Sequence, residues 1–189
     1  MLIKCQHRQK TFYTICHRNR FIFYLFFINI MIIIVTGVPG TGKTTLSKAI
    51  AECLKHEYVD VNAVIEEHKL SEGRDEKRDC AIVDIKRLEK ALSKKISTSN
   101  DLVIDSHLSH YLPSELVDVC IVVRCDLKIL KTRLEKRGYS EEKVRENLDC
   151  EILDMCLNEA EEIGHNILVV DCSGKVDIKD ICQKIKAVH

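Results

Sequence analysis

The chain of 189 residues has no tryptophan and two prolines, Pro39 and Pro113. Acids are missing from the first thirty residues, which carry instead five basic residues: Lys4, Arg8, Lys10, Arg18 and Arg20. Phenylalanine is missing from everything after them, since Phe12, Phe21, Phe23, Phe26 and Phe27 are all five in the chain. No two of the ten cysteines stand in C-x-x-C spacing, which argues against a zinc framework. No Ser-His-Asp or Cys-His arrangement stands out, so nothing points to a covalent nucleophile. No repeat, low-complexity tract or linker interrupts the sequence.

The compositional break near residue 30 sets apart an atypical N-terminal extension, 1–30, from a body, 31–189. Basic residues followed by the apolar run Phe21–Val35 invite comparison with a signal peptide or membrane anchor. That run falls short of the roughly 20 apolar residues a spanning helix needs. Its last five residues are also required as a core strand, so we expect no membrane association. Met31 is the expected natural start, with 1–30 an upstream read-through or a disordered extension. The whole chain is neutral, but the body has 24 Lys and Arg against 29 Asp and Glu, a net charge of −5. A body of that sign does not predict direct, sequence-specific nucleic-acid binding, which relies on neutralising phosphates.

What is present is more informative. Gly37-Val38-Pro39-Gly40-Thr41-Gly42-Lys43-Thr44 fits G-x-x-x-x-G-K-[ST] at each fixed position. Met31-Ile32-Ile33-Ile34-Val35 before it reads as a buried strand, and Leu46, Ala49, Ile50, Cys53 and Leu54 after it mark one helical face. Strand, glycine loop and helix in that order predict a phosphate-binding loop. Its N–H groups would point at phosphate oxygens, with Lys43 on the β- and γ-phosphates and Thr44 on Mg²⁺. ATP and Mg²⁺ are the expected ligands, and the chain reads as an enzyme of the reducing cytosol with its thiols free.

Downstream, strand and helix alternate. Strands are expected at Tyr58–Val61, Leu102–Asp105, Val117–Val123 and Asn166–Val170. Helices are expected over Asn62–His68, Asp84–Ser97, Leu127–Arg137 and Asp177–Val188. A single long helix capped by Ser140 would carry Val144, Leu148, Ile152, Met155 and Ile163 on one face. Lys69–Cys80 reads as a polar, mobile segment. The fold class is therefore α/β, a P-loop NTPase architecture. Its five-stranded parallel sheet has helices on both faces and a short lid.

Six residues beyond the loop are candidates for chemistry. Asp105 ends an apolar strand, where phosphate-loop proteins keep their Mg²⁺-organising acid. Arg137 stands beside Gly138, where a mobile segment can carry positive charge over a transferring phosphoryl group. Arg133 and Arg145 flank it, with neighbouring glutamates as an alternative use for all three. His107 follows Asp105 closely and would position water or an acceptor, with a loop hydrogen bond as the bland alternative; His110 is the weaker candidate.

From Met31 to about Glu162 the chain resembles a small adenylate-kinase-like NTPase family of archaea and eukaryotes. That family includes the human coilin-interacting nuclear ATPase. The resemblance is carried by G-V-P-G-T-G-K-T-T at 37–45, Y-V-D-V at 58–61, D-C-A-I-V-D at 79–84 and V-I-D-S-H at 103–107. It continues in V-V-R-C-D at 122–126, R-L-E-K-R-G-Y-S at 133–140 and E-N-L-D-C-E-I at 146–152. It implies a fold of nucleoside monophosphate kinase type and transfer of the ATP γ-phosphoryl to AMP or a broader set of nucleoside monophosphates, with intrinsic ATPase activity. It also implies a part in small ribosomal subunit and rRNA maturation, through a platform ribosomal protein on the pre-30S or pre-40S particle. A ribosome-assembly ATPase with weak kinase activity is the alternative. Gly40, Gly42, Lys43, Thr44 and Thr45 would hold ATP phosphates, Arg137 would act from a lid at 136–146, and 60–83 would bind the monophosphate. Asn62-Ala63 stands where human-type members have Gly-Asp, and Asn62–His68 contains no arginine.

Overall fold

The computed structural model describes residues 4–7, 10–17, 20–26, 30–75 and 80–188. By internal contacts it divides into two units, Met1–Met31 and Ile32–His189. In the first, strands β1 (Lys4–His7), β2 (Lys10–His17) and β3 (Arg20–Phe26) pair in antiparallel order. At these positions the atypical extension is a three-stranded meander.

The second unit begins with β4 (Ile32–Thr36), α1 (Lys43–Leu54), β5 (Glu57–Asp60) and α2 (Val61–Glu67). Next come β6 (Ser71–Asp75), β7 (Cys80–Val83), α3 (Ile85–Thr98) and β8 (Leu102–Asp105). Two 3-10 turns lead into β9 (Val119–Arg124), α4 (Leu127–Lys136) and α5 (Glu141–Ile152). The chain closes with α6 (Met155–Ile163), β10 (Ile167–Asp171) and α7 (Ile178–Val188).

Five strands form one parallel sheet in the order β10-β9-β4-β8-β5. Every residue of β4 and β8 is buried, on both faces of the pleat, so helices must cover both sides. That is why these strands read as unbroken apolar runs. Ile33 and Ile34 are fully covered, and each such side chain contributes about 1.5–3 kcal/mol by leaving water. The order puts β4 in the middle, so the loop after it opens at the centre of the sheet's C-terminal edge, the usual ligand crevice of such folds.

Two expectations need correction. Lys69–Cys80 contains the first strand of an antiparallel hairpin, β6 on β7, with an irregularity between Ser71 and Gly73; residues 76–79 lie outside the described residues. The long helix after Ser140 is two helices. Asp154 takes a left-handed conformation (φ 53°) that ends the α-helical path, and Ile152 and Met155 are exposed instead of sharing a buried face. Arg124 explains the break: it pairs with the buried Glu151 at 2.9 Å and with Asp154, fastening the junction to the end of β9. Ser140 caps α5 as expected, accepting from Lys143 N–H at 3.2 Å.

Candidate active site

The loop between β4 and α1 owes its shape to close approach. Gly37 has φ +138°, and a Cβ there would lie 2.5 Å from the Val123 carbonyl oxygen. At Gly40 a Cβ would press on Leu134 and Leu130 at 3.0 and 3.1 Å. Only glycine fits both positions. Gly42 caps α1 without a side-chain acceptor, so the first N–H groups of the helix have no capping side chain to satisfy them. The Thr41 hydroxyl donates to the Val38 carbonyl at 2.9 Å, and Lys43 Nζ donates to the same oxygen at 3.1 Å. Thr44 and Thr45 are exposed in the first turn of α1.

Lys43 is buried, and burial is the main reason its pKa falls to about 8; Asp105 offsets the shift and Arg137 adds to it. Those charge effects place Asp105 and Arg137 in the neighbourhood of the lysine. Asp105 is 5% exposed and lies beside Val35 in the β4–β8 register. Its Oδ2 accepts from the Tyr58 hydroxyl at 3.0 Å, while its buried Oδ1 has no hydrogen-bond partner. A buried carboxylate oxygen of that kind is costly unless something meets it. Oxygen donors from Asp105 and Thr44 are the hard ligands Mg²⁺ takes, directly or through water. These residues fit the ion.

His107 opens onto the cleft but is crowded by protein atoms; that crowding, with the charges of Lys43 and His110, lowers its pKa to about 4. Its ring is neutral at physiological pH. His110 belongs to a different arrangement. It is 1% exposed, with Thr36 Oγ1 2.7 Å from Nδ1 and Glu159 Oε2 2.9 Å from Nε2. It ties the end of β4 to α6.

Arg137 ends α4 and is exposed beside Gly138. Arg133 faces inward. Its guanidinium donates to the carbonyls of Thr41 (2.9 Å), Gly40 (3.4 Å) and Cys172 (3.0 Å), and lies 3.3 Å from Cys125 Sγ. It fastens the phosphate loop to the segment after β10. Arg145 is exposed on α5. Cys120, Cys125, Cys172 and Cys182 are buried; Cys53, expected on an apolar face, is exposed.

The sequence motifs did not reveal Arg133's grip on the loop, Tyr58's contact with Asp105 or Glu151's role. Tyr58 could have been suspected only from knowing that β5 pairs with β8. Glu151 accepts from Cys125 N–H as well as from Arg124, and a lone acid in a helix gives no hint of that.

The loop has a cleft on each side. One, of about 620 Å³, is lined by Gly40, Gly42, Thr45, Arg133, Arg137 and Cys172 among others. The other, of about 960 Å³, takes its walls from Gly37–Pro39, His107, Tyr139 and Asn147 together with α2, β6, β7 and α6.

A phosphate loop at the centre of such a sheet, open to two clefts, defines a P-loop nucleotide-binding fold. Two solved structures illustrate the same fold. Shikimate kinase from Acinetobacter baumannii in complex with shikimate superposes with a TM-score of 0.58 at 17% identity, covering 85% of this chain and 93% of that one. The protein described as "a putative kinase" from Chloroflexus aurantiacus gives 0.55 at 19% identity, covering 85% and 98%. The family described as "AAA domain" matches residues 33–154. Curated relatives are nearer. The "Putative adenylate kinase" of Methanocaldococcus jannaschii is 36% identical over 155 residues, 82% of this chain and 84% of that protein. The protein of the same description in Thermococcus kodakarensis is 41% identical over 145 residues, 77% and 78%. The "Adenylate kinase isoenzyme 6 homolog" of Dictyostelium discoideum is 36% identical over 139 residues, 74% and 79%. The chain belongs to this adenylate-kinase-like family of nucleotide phosphotransferases.

Proposed function

We propose that the chain is an ATP-dependent nucleoside monophosphate kinase that transfers the γ-phosphoryl group to AMP, with intrinsic ATPase activity. One observation carries the reading: the phosphate loop lies between two clefts, Gly40 and Gly42 facing one and Gly37–Pro39 the other. In this reading the smaller cleft takes ATP and the larger takes the acceptor. Gly40, Gly42, Lys43, Thr44 and Thr45 hold the ATP phosphates, and Asp105 and Thr44 face the metal. Mg²⁺, when bound, supplies charge neutralisation on the phosphates. Arg137 brings positive charge over the transferring group as the lid, 136–146, closes and excludes water. His107, neutral, orients the attacking oxygen without competing for phosphate as a cation would. Residues 60–83 hold the monophosphate, and 31–189 form the kinase domain.

Resemblance to the family extends the proposal to a cytoplasmic role in small-subunit and rRNA maturation, through a platform ribosomal protein on the pre-30S or pre-40S particle. Among the described residues no helix is long and apolar enough to cross a membrane. A second reading, an assembly ATPase with weak kinase activity, draws on one feature: among the described residues, those lining the larger cleft include Lys69 and Lys143 but no arginine. The test is ADP formation by the full chain from ATP and Mg²⁺, with and without AMP, against Lys43→Ala. An AMP-dependent rise with two ADP formed per AMP consumed supports the kinase. Hydrolysis indifferent to AMP overturns it in favour of the ATPase.

A further inference from the structure

The two oxygens of Asp105 are treated differently by the fold. Oδ2 accepts from the Tyr58 hydroxyl at 3.0 Å, whereas Oδ1 is buried with no hydrogen-bond partner. Tyr58 sits on β5, the edge strand, paired with Val103 of β8, two residues before Asp105. Residues two apart on a strand share a face, so the phenol reaches diagonally across the ladder. The ring is held from its other side by Lys48 of α1, whose Nζ lies 5.3 Å from the ring centroid. Tyr58 therefore touches the helix that follows the phosphate loop and the strand that carries the acid.

We propose that Tyr58 is a positioning residue: its O–H holds Oδ2 of Asp105 and so presents Oδ1 as the carboxylate oxygen that meets the metal side of the site. The proposal rests on Asp105 facing Mg²⁺. A carboxylate free to rotate would offer either oxygen and lose orientation on each encounter. A phenol hydrogen bond removes that freedom without adding charge near the phosphates. Phenylalanine at 58 keeps the ring and its contact with Lys48 and deletes only the donor.

The experiment is calorimetric binding of ADP to the full chain in the presence and absence of Mg²⁺, with no turnover involved. Tyr58→Phe, Asp105→Asn and the double variant are compared with wild type. For Tyr58→Phe, the factor by which Mg²⁺ tightens ADP is expected to fall about 10-fold, the low end of the range for second-sphere substitutions at metal sites. Metal-free ADP affinity and the melting temperature should stay near wild type. Asp105→Asn should abolish the Mg²⁺ effect, and adding Tyr58→Phe to it should change nothing further. A full Mg²⁺ effect in Tyr58→Phe, with the effect lost in Asp105→Asn, overturns the role of Tyr58 alone. A full effect in both variants overturns the metal reading of Asp105 and the proposal with it. Equal weakening of ADP with and without Mg²⁺ in Tyr58→Phe also overturns it, because the tyrosine would then support the loop in general.

Discussion

The two clefts beside the phosphate loop are built by different means. The smaller one is shaped by backbone: Gly40 and Gly42 at positive φ (+91° and +113°), and Arg133 bonded to the carbonyls of Gly40, Thr41 and Cys172. The larger one is shaped by side chains drawn from α2, the β6–β7 hairpin, the turn after β8, Tyr139, α5 and α6. Its hairpin is largely exposed, and a Cβ added at Gly73 would meet nothing within 4 Å. A backbone-built cleft tolerates little change and suits a constant ligand such as a triphosphate. A cleft built from side chains can change its ligand by substitution, and specificity is expected there.

That contrast can be broken at several points. The largest effect falls on Lys43→Ala, expected to lower ADP formation by about 10²–10³-fold, the range for losing one positioned donor to a transferring group. The fold should persist, since a costly buried ammonium is removed. Glycine substitutions come next. Gly40→Ala, at φ +91° with its Cβ 3.0 Å from Leu134, is expected to destabilise by about 2 kcal/mol, whereas Gly73→Ala should stay within about 0.5 kcal/mol. Urea midpoints of the two variants measure the difference, and equal shifts would erase the distinction between the clefts.

The third prediction concerns pH. Lys43 titrates at about 8 in the fold against 10.5 when unperturbed, so above about pH 8 the folded protein has released a proton that the unfolded chain keeps. The unfolded state then binds more protons, and this group's contribution to stability rises with pH between those two values. Phosphate binding favours the ammonium and works the other way. Nucleotide affinity is expected to fall by roughly tenfold over each pH unit above about 8 until the bound-state pKa is reached, with proton uptake on binding. Calorimetry in two buffers of different ionisation enthalpy measures that uptake; none at about pH 8.5 would refute the assignment.

The smallest effect is on the acceptor side. Lys69 lines the larger cleft in a left-handed backbone conformation (φ 50°) at the end of α2. Lys69→Ala is expected to raise KM for AMP about fivefold, as loss of one exposed charge does, and to leave KM for ATP unchanged. A rise in both would mean that the clefts are not separate.

The same contrast explains what could be read in advance. The phosphate loop is contiguous, and β4, β8 and β9 are buried on both faces, so motif and apolar run declared them. Asp105 was legible as the acid at the end of such a run. The hairpin was not, because Ser-Glu-Gly-Arg-Asp carries no apolar alternation and β6 packs on no core. The break between α5 and α6 was hidden because Val144, Leu148, Ile152 and Met155 keep helical spacing across it. What interrupts the helix is Arg124, distant in sequence, binding Glu151 and Asp154. Contacts of that sort depend on strand order, and so does the meeting of Tyr58 with Asp105. The pattern of apolar residues does not state which strand lies beside which.

The central claim is that one phosphate loop serves two nucleotides at once. The most direct measurement is calorimetric binding of two adenosines joined through a five-phosphate chain, compared with ADP, with Mg²⁺ present. If both clefts are nucleotide sites, the linked compound binds one per chain and at least about 100-fold more tightly than ADP, because the second contact is intramolecular. It should also exclude ATP and AMP together. Binding no tighter than ATP, with AMP uptake unaffected, would contradict the two-nucleotide account.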